Sequence, residues 1–208
     1  MARKLLIRTD QFPYHVTTRS RNKDWYDLPM NDVWEIYMKA FEKALSKHPV
    51  KIHAFVPMSN HYHLLLMTIG QNIDQFMREF NQSVSLSIRL KTKRINQIFG
   101  SRYRWSIVQN ENYLNNIYRY IFRNPVEAGI CRNCEDYRYS SISSFPWPLT
   151  ELVEINTQEF KNWINSISDE NEYFYIKKGL QKKIFSPPKN PSTKKKIQLP
   201  SFNQRSPY

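Results

Sequence analysis

Two runs of strand-forming residues, Val50-Lys-Ile-His-Ala-Phe-Val56 and His61-Tyr-His-Leu-Leu-Leu-Met-Thr68, flank a four-residue turn, Pro57-Met-Ser-Asn60. No other feature constrains the chain as strongly, because two β-rich runs this close in sequence pair as an antiparallel hairpin. On each side of the hairpin the spacing of apolar residues changes from two to about 3.6, the helical period. From Asn31 to His48, Trp34, Tyr37, Met38, Phe41, Ala44 and Leu45 fall on one face after an Asn-Asp start that can cap. From about Asn72 to Lys93, Ile73, Phe76, Met77, Phe80, Val84 and Ile88 do the same.

A strand-like run, Phe12 to Arg19, precedes the first helix, and Tyr103 to Gln109 follows the second after a turn at Gly100. The order strand, helix, strand, strand, helix, strand predicts an α+β chain with a central antiparallel sheet, the split βαβ of a ferredoxin-like fold. A third helix is expected from about Asn112 to Arg123. It should end or kink at Asn124, because a proline disfavours helical geometry in the residue before it. At about 100° per residue, Leu114, Ile117, Tyr118 and Ile121 form an apolar stripe, and Asn116, Tyr120 and Asn124 line its border. Tyr118 therefore reads as core, and Tyr120 as a side chain leaning over the sheet with its hydroxyl accessible.

Beyond Tyr137 an acidic segment carries Phe145, Trp147, Phe160, Trp163, Tyr173 and Phe174, which reads as a small helical appendage. The stretch from Ser186 has too much proline and lysine to fold alone. The expected organisation is a main domain at 1–145, an acidic helical appendage at 146–185 and a flexible basic tail at 186–208.

Charge follows the same divisions. Residues 1–134 carry 20 Lys/Arg against 10 Asp/Glu, residues 135–176 carry 2 against 8, and residues 177–208 carry 9 against none. A basic main segment and a basic tail are the electrostatic footprint of a polyanion binder, and nucleic acid is the commonest polyanion. No apolar run approaches the ~18 residues of a membrane span. The N-terminal Met-Ala-Arg-Lys-Leu-Leu-Ile-Arg has too short an apolar core for a signal peptide, so a cytoplasmic protein without a membrane partner is expected. Cys131 and Cys134 form a C-x-x-C with no second pair and no βαβ context, which points to a structural role.

The chemistry concentrates at His61 and His63. Successive strand residues point to opposite faces, so these two imidazoles share one face while Tyr62, Leu64 and Leu66 share the other. A neighbouring pair of imidazoles can grip one metal ion, although a histidine pair in a strand is more often structural. Tyr120, with Asn124 one turn beyond it, stands where a nucleophile beside a metal could sit. His15 and His53, in strands near that site, are expected to be structural.

These residues also carry a resemblance. His61-Tyr-His-Leu-Leu-Leu66 after Pro57-Met-Ser-Asn60, then Gly100-Ser-Arg-Tyr-Arg104, Tyr120-Ile-Phe-Arg-Asn-Pro-Val-Glu-Ala-Gly129 and Asp136-Tyr-Arg-Tyr-Ser-Ser141, together resemble the single-tyrosine HUH transposases. Within these the chain is most similar to the REP-associated tyrosine transposases, domesticated relatives of insertion-sequence enzymes that act on palindromic repeats. The resemblance spans about residues 10–145. It implies His61 and His63 as metal ligands, Tyr120 as nucleophile, Asn124 as third ligand, and Mg2+ or Mn2+ as the ion. Glu127 stands where arginine is common in such proteins, and Phe122 where a polar residue is usual.

The implied chemistry is nicking of single-stranded or hairpin DNA. A divalent ion would neutralise charge on the phosphate as a Lewis acid and help ionise a phenol whose ordinary pKa is about 10. The product would be a 5′-phosphotyrosine with a free 3′-hydroxyl. Arg19, Arg21, Lys23, Arg102, Arg104, Arg119 and Arg123 are the expected phosphate contacts, and Tyr103 or Trp105 could stack on a base. A monomer is expected, with a dimer as the alternative. A catalytically silent DNA-hairpin-binding protein on the same fold is the competing reading. An RNA-binding ferredoxin-like module is weaker, because Tyr103-Arg-Trp-Ser-Ile-Val lacks the glycines of an RNP-like strand.

Overall fold

The computed structural model describes residues 5–143, 149, 157–166 and 171–199. The main elements in chain order are β1 (Tyr14–Arg19), α1 (Met30–Lys47), β2 (Val50–Pro57), β3 (His61–Thr68), α2 (Ile73–Thr92), β4 (Arg104–Ile107) and α3 (Glu111–Glu127), followed by α4 (Gln158–Asn165) and α5 (Glu172–Gly179). The four strands form one antiparallel sheet in the order β2-β3-β1-β4. This is the expected α+β arrangement, with β1 and β3 in the centre and β4 shorter than its apolar run.

One sheet face packs on α1 and α2. Tyr14, Val16, Tyr62, Leu64, Leu66 and Trp105 meet Tyr37, Phe41, Phe76 and Phe80 there in one buried cluster. Phe41 lies 4.4 Å from Phe80 and 4.8 Å from Phe55, centroid to centroid, the tilted and edge-on geometry that aromatic quadrupoles favour. A side chain buried in this way contributes about 1.5–3 kcal/mol. In β2 the pairing steps from Ile52 opposite Leu66 to Ala54 opposite Leu65, which makes His53 the extra residue of a β-bulge. The bulge reverses the alternation, so Val50, Ile52 and Phe55 serve this face while Ala54 and Val56 serve the other.

The second face packs on α3, with α4 and α5 outside it. Phe160, Ile164 and Ile176 bury against Tyr118 and Phe122. The Asn110 side chain caps the start of α3 by accepting from the backbone N–H groups of Asn112 and Tyr113. The expected end of the helix at Asn124 is not observed, because α3 continues through Pro125 to Glu127. Pro125 has no N–H for the carbonyl of Ile121. The Asn124 amide supplies the donor, with Nδ2 bonding the carbonyls of Tyr120 at 2.7 Å and Ile121 at 3.3 Å. Gly129, at φ +68°, then closes the helix as its N–H reaches the carbonyl of Val126.

After α5 the chain adds itself to the β4 edge. The N–H of Ile107 donates to Lys183 and the N–H of Phe185 donates to Ile107, both at 2.8 Å. The expected domain boundary at 145, together with Phe145 and Trp147, lies outside the described residues. The described part of the tail holds a turn closed between Asn190 and Lys195. Among the described residues no helix is long and apolar enough to cross a membrane.

Candidate active site

Strand register gathers the polar residues of the α3 face. Arg19 lies opposite His61, and Thr17 lies between His63 on one side and Arg104 on the other. The rings of His61 and His63 stand nearly perpendicular, with centroids 5.3 Å apart. Each has its Nδ1 engaged: His61 by Asn60 Oδ1 at 2.7 Å, and His63 by His15 Nε2 at 2.9 Å. An amide oxygen only accepts, so His61 carries its proton on Nδ1 and leaves the lone pair on Nε2. An Nδ1–H on His63 leaves it in the same form. Partners of this kind fix the ring and tautomer of a metal-ligating histidine.

His15 has the structural part expected of it, as the partner that holds the His63 imidazole. His53 belongs elsewhere, bonded through Nδ1 to the Tyr118 hydroxyl at 2.8 Å within the core.

α3 carries Tyr120 to the histidines of its own chain. The Tyr120 ring meets His63 edge-on at 5.4 Å and His15 at 6.0 Å. The expected accessible hydroxyl is absent, however, because Tyr120 is buried beneath Tyr173 of α5, whose ring lies 4.7 Å away. The Tyr173 hydroxyl donates to Asn124 Oδ1 at 2.8 Å and is hydrogen-bonded to Tyr120. Its one proton is spent on Asn124, so it accepts from Tyr120. Asn124 thus stands beside Tyr120 as its row on the helix requires, with its amide nitrogen bound to the helix and its oxygen held by Tyr173.

Burial lowers the imidazoles, His15 to about 3 and His61 to about 4, with Arg19 and Lys177 adding to the effect at His61. Burial drives His63 well below its usual value, with the neighbouring histidines contributing next. All three are neutral at pH 7, the form in which imidazole binds a cation. Burial, then the charge and hydrogen bond of Tyr173, push the Tyr120 phenol well above its usual value, so it is protonated in this arrangement. Among the described residues no three His, Cys, Asp or Glu side chains converge to hold a metal ion. A metal would rest on two imidazole nitrogens and the Asn124 oxygen.

The arginines divide sharply. Arg19, Arg21, Arg102 and Arg104 are exposed, and Arg19 and Arg104 lie on the histidine face by register. Arg119 is buried, 3.4 Å from Glu172 and with its guanidinium 5.1 Å over the Trp163 ring, so it is withdrawn from any phosphate. Arg123 pairs with Glu127 at 2.8 Å and reaches the carbonyls of Ile164 and Asn165. These two, expected on DNA, instead fasten α4 and α5 to α3. Tyr103 and Trp105 lie in the buried cluster on the opposite face, away from the histidines.

Asn60 and Tyr173 had not been anticipated at the site, and His15 was expected near it without a bond to His63. His15 could have been placed by alternation along β1 once β1 is paired with β3, and Asn60 by its position immediately before His61. Tyr173 belongs to no local motif.

A family model described as "Transposase IS200 like" matches residues 9–124, more than half of the chain. The solved structure of a REP-associated tyrosine transposase bound to a REP hairpin is similar, at 19% identity and a TM-score of 0.58 over 67% of this chain and 82% of that one. The crystal structure of a Deinococcus radiodurans R1 protein provisionally described as a transposase aligns at 15% identity and a TM-score of 0.40, over 58% of this chain and 94% of that one. No curated protein matches the chain.

Proposed function

The chain belongs to the IS200-like transposase family, and from that premise we propose that it is a metal-dependent endonuclease and strand transferase for single-stranded, REP-like hairpin DNA, acting through a 5′-phosphotyrosine. The observation that carries this reading is the placement of Tyr120, edge-on to His63 and His15 and one helical turn from Asn124.

The phenolic oxygen of Tyr120 attacks phosphorus and the bond from phosphorus to the 3′ oxygen breaks, leaving a free 3′-hydroxyl. Because the phosphotyrosine conserves the phosphodiester bond energy, a 3′-hydroxyl from another strand can reverse the step and join new ends. The donor set fits a divalent cation: His61 and His63 have their Nδ1 atoms occupied, which leaves Nε2 of each for a ligand, and Asn124 offers an amide oxygen once Tyr173 releases it. Mg2+ or Mn2+ held there would supply Lewis-acid neutralisation of the phosphate charge. Asn60 and His15 hold the two imidazoles in register, and Arg19 and Arg104 flank them as phosphate contacts.

The tyrosine and histidines of one chain meet, which supports catalysis by a monomer. The hairpin substrate is supported by the similar protein whose structure holds a REP hairpin. One observation favours the catalytically silent, hairpin-binding alternative: Tyr173 engages both the nucleophile and the Asn124 oxygen.

A denaturing gel separates the two readings. Incubation with labelled hairpin DNA and manganese should give a covalent protein–DNA adduct that Tyr120→Phe abolishes. Binding without an adduct over a range of hairpins would establish the silent reading.

A further inference from the structure

α5 lies beyond residues 9–124, the part that the family model matches, yet it crosses the tyrosine and histidine site. Three contacts fix it there. Glu172 pairs with the buried Arg119 at 3.4 Å, the Tyr173 hydroxyl donates to Asn124 Oδ1 at 2.8 Å, and Gly179 lies so close to the Phe185 ring that no Cβ would fit. Phe185 is itself tied to β4 through its N–H on the carbonyl of Ile107. The helix therefore runs from the Asn124 end of α3 toward the sheet edge, with Tyr173 resting on Tyr120.

That placement decides where the next turn points. At about 100° per residue, Ile176 lies about 60° to one side of the Tyr173 direction and Lys177 about 40° to the other. Ile176 is buried in the cluster with Tyr118 of α3, so Lys177 projects on the side away from α3, where it is exposed. Its charge reaches the histidines. After burial, and for His63 after the neighbouring imidazoles, the charges that lower His61 and His63 are those of Arg19 and Lys177. Arg19 approaches from the sheet, opposite His61 in register, and Lys177 from the helix. Lys177 enters no ion pair among the described residues. Lys178 differs, because its ammonium sits 4.5 Å over the Phe174 ring on another side of the helix.

Two cations on opposite sides of a pair of neutral imidazoles form a site for an anion. One helical turn is about 5.4 Å, so a lysine side chain one turn from Tyr173 can reach a phosphate beside Tyr120. Attack on phosphorus builds negative charge on the non-bridging oxygens, and an unpaired ammonium placed there beforehand favours that state.

We propose that Lys177 is a phosphate-binding residue of the cleavage centre, holding a non-bridging oxygen of the scissile phosphate across from Arg19 while Tyr120 attacks. The proposal rests on the reading of the chain as a tyrosine nuclease for hairpin DNA and deepens it. α5 is then a working part of the site: it covers the nucleophile through Tyr173 and supplies a charge through Lys177.

The test uses the full chain and a labelled hairpin that it converts to the covalent adduct. Lys177 is exposed, so its replacement leaves the packing of α5 intact. Lys177→Gln should slow adduct formation about tenfold, Lys177→Arg should recover most of that loss, and Lys178→Gln should react as fast as wild type. Hairpins with a neutral methylphosphonate at one linkage at a time then locate the contact, with affinity measured in Tyr120→Phe chains that cannot cleave. Adding Lys177→Gln should shrink the affinity penalty at the scissile linkage by at least about threefold and leave the penalties at the other linkages unchanged. Equal rates for Lys177→Gln and wild type, equal losses for Lys177→Gln and Lys178→Gln, or a penalty that shrinks elsewhere or nowhere would overturn the role of Lys177 while leaving the enzyme standing. A wild-type chain that forms no adduct on any hairpin would overturn the nuclease reading and the role of Lys177 with it.

Discussion

The two faces of one sheet are built on opposite principles. Toward α1 and α2 the buried cluster is mainly aliphatic and aromatic, with polar atoms such as the hydroxyls of Tyr26 and Tyr37, which bond each other at 3.1 Å, and close packing dominates. Toward α3 the apolar cluster encloses His15, His53, His63, Asn116, Arg119 and Asn124, all buried. Each of these would cost free energy if left without a partner. The first face holds the fold by volume, and the second is held by specific bonds. Functional groups can therefore be exchanged for ligands on the second face, whereas the first tolerates little change.

The comparison can be broken by mutation. Phe41→Ala, in the centre of the aromatic cluster, should lower stability by about 3–5 kcal/mol, measured by denaturant unfolding. Tyr120→Phe removes one hydroxyl from the other face and should cost no more than about 1 kcal/mol while eliminating the DNA adduct. Equal losses of stability would refute the distinction. Next in size, Glu172→Gln leaves the Arg119 guanidinium buried against a neutral amide, at about 2–3 kcal/mol. Amide exchange should then accelerate in Glu172–Gly179 before it does in β3, since that pair fastens α5 to α3. Uniform acceleration would mean that α5 is an integral part of the core.

A smaller change is the most instructive about the site. Tyr173→Phe keeps the ring over Tyr120 but removes the hydroxyl that bonds Asn124. The expected cost is about 1 kcal/mol, and manganese-dependent adduct formation should rise several-fold as the Tyr120 hydroxyl and Asn124 oxygen are released. An unchanged rate would show that α5 has already withdrawn in the reacting state.

The main elements were legible because their signals are local. The alternation in His61–Thr68 and the stripes of α1 and α2 need no knowledge of the rest of the chain. Where the reading failed, a side chain had replaced a backbone partner or a distant segment had arrived. Asn124 supplies the donor that Pro125 lacks, so the helix continues where proline should have ended it. Arg119 reads as a surface cation on an amphipathic helix until Trp163 and Glu172 cover it. His63 adjoins both His61 and Tyr120, and Asn124 lies one helical turn from Tyr120, but Tyr173, 49 residues beyond Asn124, had no sequence signal that could place it there.

Acid offers the mildest way to separate the faces. Every buried histidine among the described residues lies on the α3 side or at the bulge that serves it. Burial, and then Lys51, lower His53 to about 4, against about 6.5 in the unfolded chain. The unfolded state therefore takes up the proton first. Stability is complete above about pH 6.5 and declines as the pH falls toward 4. For His53 alone the loss at pH 6 should be under about 1 kcal/mol. His53→Gln is uncharged and can still reach Tyr118, so it should flatten part of the slope of melting temperature between pH 7.5 and 6. Hydrogen exchange over the same range should quicken in α3 before α1 and α2, because only the α3 side buries groups that acid must charge. A slope unaltered by His53→Gln, with both faces opening together, would mean that the sheet transmits the cost to both layers and that the two faces form one cooperative core.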